Sequence, residues 1–160
     1  MALRNIVTEG DPILRKKCRE VAEVDDRIRT IMEDMLETMH EYNGVGIAAP
    51  QVGIMRRMFI AEPEPGETYY MINPKIIDQK GSQTGEEGCL SVPGYVGTVT
   101  RPAYVKIEAL NLEGERYVLD AKDFLATIIS HEYDHLEGTL FVDKAKDIHE
   151  AYESEDEYED

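Results

Sequence analysis

The clearest pattern of apolar and polar positions lies between Asp25 and Tyr42. There Ile28, Ile31, Met32, Met35, Leu36 and Met39 recur at the 3.6-residue spacing of one helical face. This predicts a helix that begins at Asp25 or Asp26 and stops at Asn43-Gly44, a pair suited to a helix C-cap. The methionines on this stripe read as core filling, because an unbranched thioether side chain fits irregular gaps. A shorter turn of helix opens at Gly10-Asp11-Pro12-Ile13-Leu14, with Asp11 as N-cap and Pro12 in the first helical position. From about Arg57 to Leu119 the chain reads as short strands broken by turns. Met58-Phe59-Ile60-Ala61 and Tyr69-Tyr70-Met71-Ile72-Asn73 flank a Pro/Gly turn at Glu62-Pro63-Glu64-Pro65-Gly66. Val99, then Val105 to Leu110 and Tyr117 to Leu119, continue the series, with Leu112-Glu113-Gly114-Glu115 as a hairpin turn. A last helix is expected from about Ala121 to Leu136, closed by Gly138. Strands followed by a helix, without β-α-β alternation, predict an α+β fold: short antiparallel β-sheets packed around a C-terminal helix.

A chain of 160 residues, 42% of them hydrophobic, suffices for one domain with a real core and no disulfide staples. No apolar run approaches the ~18 residues of a membrane span. The start, Met1-Ala2-Leu3-Arg4-Asn5-Ile6, lacks the features of a secretory signal, so a cytoplasmic protein is expected. The two cysteines, Cys18 and Cys89, form no C-x-x-C, and a cytosolic chain of this size does not need a disulfide between them. Cys18 follows a basic stretch, Arg15-Lys16-Lys17, and reads as a bystander thiol. The net charge is −16, and half of it comes from the eight acids between Asp147 and Asp160, a stretch without Lys or Arg. The chain therefore divides into a domain over 1–146 and an acidic tail over 147–160, expected to be flexible. Neither part has a basic stripe, which argues against direct nucleic-acid binding.

The segment that carries chemistry is His131-Glu132-Tyr133-Asp134-His135, within the last helix. Residues four apart share a helical face, so both imidazoles can converge on one ion. The carboxylate between them lies about 100° around the helix, where it can reach a water activated by that ion. The preceding Ala126, Ile128 and Ile129 point this face inward, where two imidazoles and a carboxylate are costly unless a cation compensates. A catalytic metal wants a third protein ligand and one open position. A metzincin-type pattern would place a third histidine where Phe141 stands, and His40 and His149 lie in unconstrained surroundings. The remaining candidate is Cys89, in the glycine-flanked segment Glu86-Glu87-Gly88-Cys89-Leu90-Ser91, whose thiolate would bind a divalent ion strongly. A further segment, Gly44-Val45-Gly46-Ile47-Ala48-Ala49-Pro50-Gln51, keeps the backbone open with small residues and ends on an amide able to donate to an oxyanion.

Taken in chain order, Gly44 to Gln51, Glu87 to Ser91 and His131 to His135, the three segments resemble the peptide deformylase family, marked by G-φ-G-φ-A-A-x-Q, E-G-C-φ-S and H-E-φ-D-H, with no substitution at a fixed position. The resemblance extends to the opening Gly10 to Arg15 and to Arg101-Pro102, over about residues 1–145, in the compact bacterial form. It implies that Cys89, His131 and His135 hold one divalent metal, Fe²⁺ in the native enzyme, with Zn²⁺, Ni²⁺ or Co²⁺ able to occupy the same site. It implies that water attacks the formyl group of an N-formylmethionyl nascent polypeptide, releasing formate. Glu132 would act as general base, and the Gln51 side chain and the Leu90 backbone N–H as oxyanion donors. A strand-like substrate would pair near Val45, Gly46 and Gly88, with Val45, Phe124 and Ile128 around the methionine side chain. Glu87 and Arg101 are expected to form an ion pair bracing the Cys89 loop. The competing readings are a zinc endopeptidase of the His-Glu-x-x-His type, which requires a third ligand downstream of His135, and a non-catalytic metal-containing binding module. Some deformylases approach the ribosome through a basic C-terminal extension; the acidic tail here would be repelled by ribosomal RNA, so any ribosome proximity is expected to be transient and not through the tail.

Overall fold

The computed structural model describes residues 2–151. Asp25 accepts a hydrogen bond from the Ile28 N–H at 3.0 Å and starts helix α1, Asp26–Glu41, as its sequence pattern predicts. Asp11 caps the Pro12–Arg15 turn in the same way, although that turn is a 3₁₀ helix. Helix α2 spans Asp123–Leu136. It begins two residues later than expected, because Ala121 and Lys122 still belong to a strand. The eight strands are β1 (Gly46–Ala48), β2 (Met58–Ala61), β3 (Tyr69–Lys80), β4 (Gln83–Cys89), β5 (Val92–Arg101), β6 (Tyr104–Leu110), β7 (Arg116–Lys122) and β8 (Lys146–Glu150).

Two antiparallel sheets result, one ordered β1-β2-β3-β6-β7 and the other β4-β5-β8. The α+β class is as expected, but β3 and β5 are long, with 12 and 10 residues. Register shifts let β3 bend, one of them between Ile72 and Lys75. Pro74 is tolerated there, since a bulge does not require its missing N–H. The acidic stretch also differs in its first residues. Lys146–Glu150 pair with β5, and the Ala151 N–H donates to the Gly94 carbonyl at 2.8 Å. The rest of the expected flexible tail, 152–160, lies outside the described residues. Among the described residues, no helix is long and apolar enough to cross a membrane.

Strand β2 explains the layering. All four of its residues are buried, and alternate side chains leave opposite faces of the sheet. Met58 and Ile60 join Met32, Met35 and Met39 of α1, while Phe59 and Ala61 join Ala126, Ile128 and Ile129 of α2. The methionine stripe is core, as read from its spacing. The C-terminal helix thus covers one face of the large sheet, and α1 covers part of the other. A third apolar cluster, Leu14, Val92, Val99, Leu140 and Phe141, fills the space beside the small sheet.

Gly138 follows α2 with φ +78°, and a Cβ there would lie 2.6 Å from the Arg15 carbonyl oxygen. Both the conformation and the close approach exclude a side chain. Gly138→Ala is therefore expected to lower stability by at least about 2 kcal/mol, read from urea unfolding.

Candidate metal centre

Three segments distant in sequence line one cleft of about 780 Å³: the β1 edge with the following turn, the β4–β5 turn, and α2. Helix geometry sets His131 and His135 one turn apart, with ring centroids separated by 5.2 Å. Cys89 reaches them as the last residue of β4, where the register with β5 shifts after Gly88. Its Sγ lies 3.4 Å from His135 Nε2, and the ligand atoms of Cys89, His131 and His135 all fall within 4.8 Å of one another. His40 and His149 stand apart from this cluster. His40 Nε2 lies 2.6 Å from Glu62 Oε1, and His149 Nε2 lies 3.6 Å from Glu86.

The neighbours of the histidines decide whether this donor set suits a cation. His131 Nδ1 is 2.9 Å from Glu87 Oε1. Burial alone would raise the Glu87 pKa, but hydrogen bonds from His131 and Arg101 outweigh it and hold it at about 2. An ionised carboxylate can only accept, so His131 Nδ1 donates to Glu87, which leaves Nε2 as the nitrogen available to a metal ion. The outer His135 nitrogen is buried and has no hydrogen-bond partner among the described residues; nor has Glu132 Oε1. Two nitrogens and a sulfur thus converge with one side open to the cleft, the donor set of a catalytic divalent metal. The third ligand position is occupied from the β4 end, not from downstream of His135, so the arrangement lacks what the endopeptidase reading requires.

The expected Glu87–Arg101 pair is present and bidentate, at 3.0 and 2.9 Å. Arg101 also donates to Asp134 at 2.7 Å, and Lys144 Nζ lies 2.8 Å from the same carboxylate oxygen. Asp134 stands in the His131–His135 motif without a role read for it there, and Lys144 carries no distinguishing mark in the sequence beyond charge. Nor does Phe141, whose ring stacks on His131 with centroids 6.1 Å apart. An apolar pair after a helix, Leu140-Phe141, signals packing and nothing more.

Glu132 is 5% exposed. Burial pushes its carboxyl up to about 7; the neighbouring His131 opposes this and Glu87 adds to it. Opposite stands Gly46, where a Cβ would lie 2.5 Å from Glu132 Oε2 and 2.9 Å from Ile128. Gln51 is buried in the turn after β1, Ala49–Val52. Its Oε1 accepts from the Ala48 N–H at 2.9 Å, and its Nε2 lies 3.2 Å from Ser91 Oγ and 3.5 Å from Cys89 Sγ. Leu90 is the first residue of the β4–β5 turn. Val45, Gly46, Gly88, Phe124 and Ile128 all line the cleft: Ile128 is buried, while Val45 and Phe124 are 40% and 53% exposed. Cys18 lies in the core, where burial pushes its thiol up to about 11.

Two measurements follow from this geometry. Gly46→Ala should leave the fold and metal content intact but lower kcat/KM by about 100-fold or more, because the methyl group displaces Glu132. In folded, metal-free protein a maleimide should modify one thiol, Cys89, and a bound divalent ion should protect it. Cys18 should react only after unfolding.

The sequence profile described as polypeptide deformylase matches residues 3–151. A peptide deformylase of Clostridium botulinum is 56% identical over 144 residues, which cover 90% of this chain and 97% of the relative. Peptide deformylase 1 of Clostridium perfringens is 54% identical over 144 residues, covering 89% and 98%. Among solved structures, the peptide deformylase of Thermotoga maritima superposes with a TM-score of 0.87 at 36% identity, over 90% of this chain and 98% of that one. The Ehrlichia chaffeensis enzyme, in complex with actinonin, gives 0.88 at 38% identity over 92% and 91%. With the profile spanning nearly the whole chain and both folds agreeing, the protein belongs to the polypeptide deformylase family.

Proposed function

We propose that Cys89, His131 and His135 hold one Fe²⁺ ion and that the cleft beside them removes the formyl group from N-formylmethionyl nascent polypeptides. The observation that carries this reading is the convergence of one sulfur and two imidazole nitrogens within 4.8 Å, beside a buried Glu132. A divalent ion held there supplies Lewis acidity and lowers the pKa of a water molecule. The thiolate and imidazole donors would also accept Zn²⁺, Ni²⁺ or Co²⁺. Glu132 takes a proton from the attacking water and returns it to the departing amine, a role suited to a carboxyl whose Oε1 has no partner among the described residues. The Gln51 Nε2–H and the Leu90 backbone N–H donate to the oxygen that gains charge as the carbonyl carbon becomes tetrahedral. Formate and a peptide with a free amino terminus leave.

Substrate recognition belongs to the cleft walls. The edge at Val45-Gly46 and the strand end at Gly88 offer main-chain groups to an extended peptide, and Val45, Phe124 and Ile128 surround the methionine side chain. Such a substrate places the enzyme in the cytoplasm, near ribosomes only in passing. The eight acids between Asp147 and Asp160 oppose docking on ribosomal RNA through the C-terminus. Tail-deleted protein should therefore co-sediment with ribosomes at least as well as the full chain.

Anaerobic assay of the Fe²⁺-loaded protein on a formyl-Met tripeptide should show rapid formate release. Glu132→Ala should lower kcat by about 10³-fold while retaining metal. A chelator should abolish turnover, and added Fe²⁺ should restore it. Metal-replete, folded protein without turnover would overturn the proposal.

A further inference from the structure

Gln51 and Ser91 meet inside the protein, and the meeting is tighter than oxyanion binding by Gln51 requires. Ser91 is the second residue of the β4–β5 turn and is fully buried. Its hydroxyl accepts from Gln51 Nε2 at 3.2 Å, while Gln51 Oε1 is held by the Ala48 N–H at 2.9 Å. One hydrogen bond leaves a planar amide free to pivot about it; a second at the far end fixes its plane. The same nitrogen also donates to Cys89 Sγ at 3.5 Å, so its two hydrogens are divided between the serine oxygen and the sulfur. As a metal ligand it is a thiolate, and negative charge makes it the stronger attraction for an N–H. The backbone frame around the pair is held independently. The Val7 N–H donates to the Gln51 carbonyl and the Glu9 N–H to the Ser91 carbonyl, both at 2.7 Å.

We propose that Ser91 is a positioning residue: its hydroxyl holds one Nε2 hydrogen of Gln51 and so fixes the amide plane, keeping the other hydrogen on the Cys89 side of the cleft, where an oxyanion would compete with the sulfur for it. The proposal rests on the reading of Gln51 as an oxyanion donor. Ser91 itself touches no substrate. Because the backbone of both residues is anchored by Val7 and Glu9, loss of the hydroxyl frees the amide without releasing the turn.

The test is a double-variant cycle on the metal-loaded enzyme with a formyl-Met tripeptide. An oxyanion exists only as the reaction proceeds, so the effect should fall on kcat and leave KM within about twofold. Gln51→Ala should lower kcat by about 100-fold and Ser91→Ala by about 10-fold. The double variant should match Gln51→Ala within about twofold, because Ser91 acts only through that amide. A second readout is independent of turnover: the two Gln51 Nε2 hydrogens, seen by NMR in metal-free protein, should exchange with water faster in Ser91→Ala. If Ser91→Ala fails to fold, Ser91→Gly removes the same hydroxyl and takes its place. Wild-type kcat in the serine variant, losses that multiply in the double variant, or unchanged amide exchange would each overturn the proposal. Gln51→Ala with wild-type kcat would overturn the oxyanion reading as well, so the two failures are distinguishable.

Discussion

Arg101 ties the small sheet to the helix that carries the histidines. Its guanidinium sits on β5, grips Glu87 of β4 with two nitrogens, and reaches Asp134 of α2 with the third. Both it and Glu87 are almost wholly removed from water. Burying such charges is costly, so their value lies in geometry rather than in net stability. Any shift of the small sheet against α2 would leave a buried charge without its partner. Cys89 follows Glu87 by two residues, and His131 precedes Asp134 by three. The same network that locks the two segments together therefore brings the metal ligands into register. Glu87 adds a direct link, since the carboxylate that binds Arg101 also fixes the proton of His131.

The large sheet supplies the rigid side of the site. With α1 and α2 on its opposite faces, β2 is dry on both, and β1 beside it is held where its backbone can approach α2 closely. Gly46 makes that approach possible, leaving Glu132 room at the cleft floor. The polar groups at this junction are few and pinned. His131 leans on Glu87 and Phe141, and Gln51 on Ala48 and Ser91. Glu132, which lines the cleft, keeps Oε1 without a protein partner among the described residues, beside the place where an ion and a water molecule would sit.

Local rules carried much of the fold. The 3.6-residue stripe of Ile28 to Met39 and the Asp25 cap gave α1 to within a residue, because a helix forms from neighbours along the chain. The bends of β3 and the pairing of Lys146–Glu150 with β5 did not show, since register shifts and edge pairing depend on partners far away in sequence. The acidic composition of the C-terminal stretch pointed away from a strand, and pairing with β5 overrode it for its first residues.

At the site the division is the same. The sequence by itself determined the chemistry: two imidazoles one helical turn apart, a carboxylate between them, a thiol among glycines and an amide after small residues. Each of these is a property of residue type and near spacing. The Glu87–Arg101 pair was expected too, but only from the family resemblance of its segments. Only the tertiary structure decided that Cys89 stands within ligand distance of the histidines, that Asp134 completes the grip on Arg101, and that Phe141 and Ser91 support His131 and Gln51. Those contacts join residues 33 to 46 positions apart, or a turn to the helix before it, and their side chains alone do not announce a partner. The packing of two sheets against α2 chooses which of many compatible groups meet.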